Sequence, residues 1–476
     1  MITVIGLGVE KGDLTKRGEE KILQAAKNGD PILVRTGKTL SYQTVLELGV
    51  PHVTLDRVYE KSRNFDTLTK NLASEVIKSG DNAVYLVDGS AGEDNSVKEI
   101  YRKKRGKIEV ICGVSKTTPL VDAANFKTCS YMTVSAYELY DEIPPRLTLP
   151  LIVYDLDDEM TASHCKLLLG DLFGEEITVT HIVRGKGKKI KLYELDRQES
   201  YDYSSAVAID ACDLLQKQRF TVEDLKEIVV RLRKPNGCPW DRVQTPESIK
   251  MSAVEEAYEL VDAIDQNDDD KILEETGDLL LQVIFHAVMK EERGAFNLTD
   301  VLSGICEKLI TRHTHVFGED KATDGESALS VWEKNKMTEK HQVTFADSVN
   351  DVPKCFPAAM RAQKIGKRAS KAGMDFATAE AAATRLQEEL AEFFEAYKKG
   401  NAAETEKELG DVLFAAVNVG RKAGCDCEKA LKESAERFAA RFTKAEALAL
   451  ADGKTVTQLS EAEWDAYYLA AKKALR

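Results

Sequence analysis

Two acidic motifs recur along the chain and are the residues best placed to do chemistry. Each motif combines two carboxylates three residues apart with a second such pair further on, and the copies are separated by a constant offset of 133 residues, as from 256 to 389. Residues at that spacing share one face of an α-helix. The eight carboxylates are Glu256, Glu259, Glu275 and Asp278 in the first copy, and Glu389, Glu392, Glu408 and Asp411 in the second.

Each set of four is symmetric about a polar turn. The midpoint of the first set is residue 267, inside Gln266–Asp270, and that of the second is Gly400. In an antiparallel helical hairpin, residues equidistant from the turn lie side by side. The spacing therefore predicts that the four carboxylates of each copy converge.

Convergent carboxylates on helices repel one another and lose hydration. No Lys or Arg lies inside the short segments Glu255–Glu259, Glu275–Leu280, Glu388–Glu392 and Glu408–Leu413, so a divalent cation is the expected partner. A set of oxygen ligands without His or Cys favours Mg²⁺ or Mn²⁺. The alternative is a solvated acidic helix face, and a di-iron bundle is disfavoured because its Glu-x-x-His motif is absent from both copies.

A magnesium ion held by carboxylates most often serves a phosphate substrate. No Walker motif occurs in the chain, so a P-loop ATPase is excluded and metal-assisted hydrolysis remains. Cations and aromatic residues that could contact phosphate and base follow each motif, the alternative being ordinary surface cations and core tryptophans. They are Lys308, Arg312, Trp332 and Lys336 in the first copy, and Arg437, Arg441 and Trp464 in the second.

The size and charge of the chain limit the other classes of function. A length of 476 residues favours two or three domains, because one hydrophobic core stops growing at about 300 residues. The net charge of −14 disfavours stable binding to nucleic acid. No run reaches the ~20 apolar residues that cross a bilayer, and no secretory signal is visible. We therefore expect a cytoplasmic protein without membrane contact.

The predicted secondary structure that positions these residues changes near residue 215. Before it, short β-branched runs alternate with helical stretches, which predicts an α/β fold, and after it long amphipathic segments predict an all-α fold. The duplication divides the helical part, so the predicted domains are 1–215, 216–345 and 346–476. The predicted strands are Ile2–Ile5, Ile32–Val34, Ala83–Val87, Ile108–Ile111, Leu151–Tyr154 and Ile177–Val183.

The helical part resembles a known family. Leu232–Lys336, with Lys234–Asp241, the first acidic motif and Arg312–Phe317, resembles MazG-type nucleoside triphosphate pyrophosphohydrolases, and Ala359–Trp464 resembles the second domain of tandem MazG proteins. The resemblance implies all-α helical bundles, a homodimer, and Mg²⁺-dependent cleavage of nucleoside triphosphates to monophosphate and pyrophosphate, as in housecleaning of the nucleotide pool.

On this resemblance the eight carboxylates become metal ligands. Glu255 and Glu388 lie beside them but off their axis, so one of the two is the hypothesised general base. The resemblance implies that the second domain is usually the catalytic one in tandem members. Here Tyr468 stands where a Lys is often found, which leaves both copies as candidates.

The N-terminal part resembles the two-lobed tetrapyrrole methylase domain that is fused to MazG in bacterial proteins. The similarity is carried by the glycine-rich loop Gly6–Thr15, by Gly113–Ser115, by Ser135–Ala136 and by the stretch Leu149–Gly185. Active relatives bind S-adenosylmethionine between the lobes. The resemblance implies a cofactor site formed by Gly6, Gly8, Asp88, Gly113, Ser115 and Ala136.

Two loops depart from the pattern of active methylases. In the first loop, Val9–Lys11 stands before Gly12 and Asp13, where active methylases carry the proline of Gly-x-Gly-Pro-Gly-Asp. After the fourth strand, Asp88–Gly92 replaces the expected loop. These departures weaken the expectation of methyl transfer while keeping S-adenosylmethionine as a candidate cofactor. Two alternatives to a pyrophosphohydrolase therefore stay open: a methyltransferase of a tetrapyrrole-like substrate, and a non-catalytic regulatory protein that binds nucleotide or S-adenosylmethionine.

Overall fold

Short β-branched runs form a parallel sheet at the start of the chain. The computed structural model describes residues 1–62, 65–140, 146–339 and 344–475, except for the side chains of residues 65, 66, 333, 337 and 338. The strand order of this sheet is β3-β2-β4-β1-β5, and all of its pairings are parallel. The strands are β1 (Ile2–Gly6), β2 (Ile32–Val34), β3 (Val53–Thr54), β4 (Val84–Val87) and β5 (Ile108–Ile111).

Both faces of this first sheet are covered by apolar side chains. Val4 and Tyr85 belong to one hydrophobic cluster, whereas Ile5 and Leu86 belong to another. Successive residues of a strand point to opposite faces, and parallel strands that are buried on both faces consist of continuous apolar runs. We call residues 1–111, built around this sheet, the first lobe.

The second lobe, residues 132–209, contains a mixed sheet. Its order is β6-β7-β10-β8-β9; β6 pairs with β7 in parallel, and the remaining pairs are antiparallel. Its last hairpin turns at Arg184 and Gly185, both with positive φ. The strands are β6 (Met132–Ser135), β7 (Leu151–Tyr154), β8 (Thr178–Val183), β9 (Lys186–Lys191) and β10 (Ala206–Ile209).

Helices accompany both sheets. Thr15 caps the first of them by accepting a hydrogen bond from the backbone N–H of Gly18, which satisfies one of the free donors of the first turn. The helices of this region are α1 (Lys16–Asn28), α2 (Tyr42–Leu48), α3 (Asp56–Lys61), α4 (Phe65–Lys78), α5 (Asn95–Lys103), α6 (Thr118–Ala124) and α7 (Glu159–Phe173).

Beyond residue 210 the described part of the chain is helical. The predicted fold class, an α/β region followed by all-α segments, is confirmed. The helices are α8 (Val222–Arg233), α9 (Ser252–Gln266), α10 (Asp269–Glu291), α11 (Leu298–Arg312), α12 (Thr314–Phe317), α13 (Gly325–Glu339), α14 (Phe345–Asn350), α15 (Ala358–Ser370), α16 (Ala379–Lys398), α17 (Ala402–Lys422), α18 (Cys427–Ala451) and α19 (Glu461–Ala474).

The chain divides into two compact units, Met1–Leu298 and Thr299–Arg476. The first unit contains both lobes and the hairpin of α9 and α10, and the second contains the hairpin of α16 and α17. This division falls within the predicted domain 216–345, whose boundaries stay a prediction. Among the described residues, none of the helices combines the length and the hydropathy needed to cross a bilayer.

Candidate functional site

Two helical hairpins position the acidic motifs. The turn between α9 and α10 contains Asn267, in the left-handed region with φ +55°, and Asp268, which caps α10. The turn between α16 and α17 contains Gly400, with φ +70°, and Asn401, which caps α17. Left-handed residues end helices by turning the chain away, and Asp or Asn then starts the next helix. Both turns lie where the symmetry of the motifs predicted them.

In the first hairpin three of the four predicted ligands come together. One carboxylate oxygen from each of Glu256, Glu259 and Glu275 lies within 4.8 Å of the others. Asp278 lies outside that group, but its negative charge acts on Glu256. Burial, together with the negative charges of Asp278 and Glu259, raises the pKa of Glu256. We call Glu256, Glu259 and Glu275 the first cluster.

The carboxylates of the first cluster repel one another. Burial and the neighbouring charges of Glu259 and Glu274 raise the pKa of Glu275. Gln282 donates a hydrogen bond to Glu256 at 3.5 Å. The charges with the largest effect on Glu256 and Glu275 are those of neighbouring carboxylates. A cation placed between these oxygens would relieve that repulsion.

The second hairpin also brings three carboxylates together. Oxygens of Glu389, Glu408 and Asp411 lie within 4.8 Å of one another, and we call these residues the second cluster. Glu392, the fourth predicted ligand, is outside the group. Glu389 and Glu408 are buried, at 8% and 7% exposure. Buried carboxylates need a cation or hydrogen-bond donors to offset their lost hydration.

Two cations next to the second cluster were missed by the sequence analysis. Arg385 precedes the segment Glu388–Glu392 and Lys407 precedes Glu408–Leu413, and both side chains reach the carboxylates. Arg385 lies 2.7 Å from Glu389, and Lys407 lies 2.8 Å from Glu408 and 3.6 Å from Asp411. The signal was present, because Arg385 precedes Glu389 by four residues and Lys407 precedes Asp411 by four.

The equivalent positions of the first copy carry no cation. At the offset of 133 residues, Ser252 stands in place of Arg385 and Glu274 in place of Lys407. The second cluster retains one unsatisfied group: Oε2 of Glu408 is buried and has no hydrogen-bond partner among the described residues. Buried polar atoms are normally paired. The oxygen-only donor sets of both clusters therefore fit a hard divalent cation.

The two candidate general bases lie beside the clusters. Glu255 and Glu388 are both exposed. Arg385 donates a hydrogen bond to Glu388 at 2.9 Å, so this arginine contacts both the candidate base and a ligand of the second cluster. Their exposure gives both carboxylates direct access to water.

The substrate residues predicted for the first copy belong to the second unit. Trp332 has two cations against its ring, with Arg312 5.4 Å and Lys336 4.7 Å from the ring centre. Arg312 also forms two hydrogen bonds to Glu339, at 2.7 and 3.0 Å. Lys308 is exposed on α11. Three of the four residues are thus brought together.

The substrate residues predicted for the second copy lie on α18 and α19. Arg437 is 3.6 Å from Glu433, one turn away on its own helix, and Arg441 is half-buried. Trp464 stacks on Phe442, with ring centres 5.3 Å apart. Tyr468, where a lysine was expected, packs against Phe438. These aromatic contacts join α18 to α19.

The glycine-rich loops of the N-terminal region approach one another closely. A side chain at Gly6 would place its Cβ 2.5 Å from the carbonyl oxygen of Gly89 and 2.6 Å from the backbone nitrogen of Gly113. Gly8 and Gly89 exchange two backbone hydrogen bonds, of 3.2 and 2.8 Å. Only glycine permits such an approach. Three predicted cofactor residues, Gly6, Gly8 and Gly113, therefore hold the loops together.

The other three predicted cofactor residues have protein partners or are buried. Ser115 donates a hydrogen bond to Glu93, and Ala136 has no exposed surface. Asp88 forms an ion pair with Lys116 at 2.8 Å. Burial raises the pKa of Asp88, but the charges of Lys116 and Arg35 more than offset this, and the pKa lies at about 2. Lys116 and Arg35 were not identified from sequence.

The fold and the two acidic hairpins define a class: an α/β region joined to a duplicated helical unit with carboxylate clusters. A model of the MazG nucleotide pyrophosphohydrolase domain matches residues 244–317 and 377–444. YabN of Bacillus subtilis is 32% identical over 494 residues, covering 100% of this chain and 99% of that protein. The nucleoside triphosphate pyrophosphohydrolase/pyrophosphatase MazG of Thermotoga maritima is 40% identical over 250 residues, covering 52% of this chain and 95% of the relative.

The chain belongs to the MazG nucleotide pyrophosphohydrolase family, which confirms the predicted resemblance and the predicted enzyme class, a hydrolase. Among solved structures, a cobalt precorrin-4 methyltransferase of cobalamin biosynthesis matches 44% of this chain and 94% of its own, with 12% identity and a TM-score of 0.32. No activity of the N-terminal region follows from a likeness at that level.

Proposed function

We propose that this protein hydrolyses nucleoside triphosphates to nucleoside monophosphate and pyrophosphate with Mg²⁺ or Mn²⁺, as a housecleaning enzyme of the nucleotide pool. The observation that carries the proposal is the repeated cluster: three carboxylates within 4.8 Å on each of two hairpins. The Thermotoga maritima relative, which is named a nucleoside triphosphate pyrophosphohydrolase, makes nucleoside triphosphates the first substrates to test.

The first cluster and the second cluster would hold the cation. When bound, a hard divalent ion neutralises phosphate charge and polarises a phosphoryl oxygen. The orphaned Oε2 of Glu408 and the mutual repulsion at Glu256 are the two features that such an ion would satisfy. Asp278 and Glu392, which lie outside the clusters, remain proposed ligands.

Other side chains of the helical part would bind substrate and move the proton. Glu255 or Glu388 would accept a proton from the attacking water, because both carboxylates are exposed beside a cluster. Arg385 would orient Glu388 through their hydrogen bond. Trp332, with Arg312 and Lys336 against its ring, offers a flat apolar face for a nucleotide base and cations for its phosphates.

The test measures pyrophosphate release from each deoxynucleoside triphosphate by the full chain with Mg²⁺, and with EDTA. Glu256→Gln removes one negative charge from the first cluster and Glu389→Gln removes one from the second, and each keeps the shape of the side chain. We expect the variant in the active copy to lose about 10- to 100-fold in rate, and the double variant and the EDTA sample to be inactive.

The matched control is Glu395→Gln, on the same hairpin as the second cluster. Glu395 is exposed and lies 3.9 Å from Lys399, outside the second cluster, so its activity should equal that of the unmodified chain. Full activity in the double variant would refute both clusters as the catalytic site. Loss of activity in only one single variant would assign catalysis to that copy.

A further inference from the structure

The N-terminal region contains a small cavity between its two lobes. It encloses about 40 Å³ and is lined from the first lobe by Gly8, Leu40 and Asp88 and from the second by Tyr154, Asp155 and Tyr203. Ligand pockets usually measure about 300 to 1,000 Å³. Of the six residues predicted to bind a cofactor, only Gly8 and Asp88 line the cavity.

The side chain of Lys116 lines this cavity and lies between the carboxylates of the two lobes. Its Nζ atom lies 2.8 Å from Asp88 of the first lobe and 4.0 Å from Asp155 of the second. The stem packs on Gly89 so closely that a Cβ there would be 2.4 Å from Cγ of Lys116. Lys116 is therefore a cation held between one carboxylate from each lobe.

Further contacts fix this arrangement. Arg35 lies 2.6 Å from Asp94 and 3.5 Å from Asp88, so Asp88 has a cation on both sides. Ser135 donates a hydrogen bond to Asp155 at 2.7 Å, and Asp155 adopts φ +61°, which is rare for residues other than glycine. Such a backbone persists only where its surroundings impose it.

S-adenosylmethionine does not fit this cleft. The cofactor carries a sulfonium and an ammonium group, and a fixed ammonium group already lies against the cavity carboxylates. Displacing Lys116 would leave Asp88 buried beside a single, more distant cation, and breaking a buried ion pair is strongly destabilising. The backbone N–H groups of Gly8 and Gly89 donate to each other's carbonyl oxygens, so neither N–H is free to donate to a ligand.

We infer that Lys116 acts as an internal cation that ties the two lobes together in the place where methylases hold their cofactor, and that this domain consequently does not bind S-adenosylmethionine. The inference concerns the N-terminal region alone and does not depend on the hydrolase proposal.

The first measurement uses the full, unmodified chain. Isothermal titration with S-adenosylmethionine and with S-adenosylhomocysteine, each to about 1 mM, should give no heat of binding, and neither should raise the midpoint of thermal unfolding. Saturable binding of either compound, or a rise of more than about 2 °C in the midpoint, would overturn the inference.

The second measurement compares thermal unfolding of two lysine variants. Lys116→Met removes the charge and keeps the stem, and the midpoint should fall by about 5 °C or more. The matched control is Lys104→Met, because Lys104 forms an ion pair of similar length, 2.7 Å, with Asp81, whose side chain is 79% exposed. That change should move the midpoint by less than about 1 °C.

Asp155→Asn supplies a second variant that keeps the shape of the side chain. It removes the second-lobe charge, which lies 4.0 Å from Lys116, so we expect a fall smaller than that of Lys116→Met but larger than that of Lys104→Met. Equal midpoints for all three variants would overturn the role of Lys116, and the ligand titration stays decisive if Lys116→Met does not fold.

Discussion

At the scale of single residues, Lys407 distinguishes the two acidic clusters. It lies 2.8 Å from Glu408 in the second cluster, whereas the first copy has Glu274 at that position. A fixed positive charge competes with a bound metal ion for the same carboxylates. The second cluster is thus partly neutralised by the protein itself, and the first is not.

Replacing Lys407 should therefore strengthen metal binding at the second cluster. In a Glu256→Gln background, which weakens the first cluster, Lys407→Met should bind Mn²⁺ up to about fivefold more tightly by isothermal titration. The gain is small because the lysine is 69% exposed, and exposed ion pairs contribute at most about 1 kcal/mol. Lys399→Met, which removes the exposed partner of Glu395, is the control and should change nothing. Unchanged or weaker binding in Lys407→Met would contradict the competition.

The sequence located the cluster residues but not their final grouping. The helical period and the symmetry about residues 267 and 400 placed all eight carboxylates on facing helices. Which three of each four meet depends on side-chain rotamers, and these respond to neighbours such as Arg385. The contacts of Lys116 could not be predicted from sequence either, because its partners Asp88 and Asp155 belong to different sheets.

At the scale of elements, most buried strands were predicted from their apolar runs, whereas the short buried strand β10 and the polar strand β9 were missed. The predicted run Leu151–Tyr154 matches β7 in both bounds, and Ala83–Val87 differs from β4 by one residue. The segment Lys186–Lys191 is an exposed edge strand whose residues are mostly lysine and glycine, so it lacks the alternation that marks a strand. Edge strands carry such charges because they discourage pairing with other chains.

The hairpin turns give a prediction at this scale. Gly400 has φ +70° and open space around its Cβ position, so Gly400→Ala should lower the free energy of unfolding by about 1 kcal/mol through backbone strain alone. Gly304→Ala is the control: Gly304 lies inside α11 with the same open space, and alanine there should stabilise by up to about 1 kcal/mol. Chemical denaturation measures both, and a stabilised Gly400→Ala variant would show that the turn does not require a left-handed residue.

At the scale of the whole molecule, the helical part leaves large apolar side chains uncovered. On α16 and α17 the exposed fractions reach 66% for Tyr397 and 60% for Leu413, and Phe394 is also exposed. Exposed large apolar side chains grouped on helices are typical of surfaces that another chain covers, and paired helical hairpins bury such side chains in bundles. We propose that a second copy of this chain covers them, as the family resemblance implies.

Analytical ultracentrifugation at micromolar concentration tests this proposal. The unmodified chain should sediment with about twice its mass of 52.8 kDa, because an interface formed by apolar helix faces is large enough to persist at that concentration. Leu413→Glu places a charge on the exposed face of α17 and should shift the population toward the monomer. Leu215→Glu, at a residue 99% exposed outside the helical hairpins, should sediment like the unmodified chain. A monomeric unmodified chain, or a Leu413→Glu variant that dimerises as well as its control, would show that the face of α17 does not form the dimer.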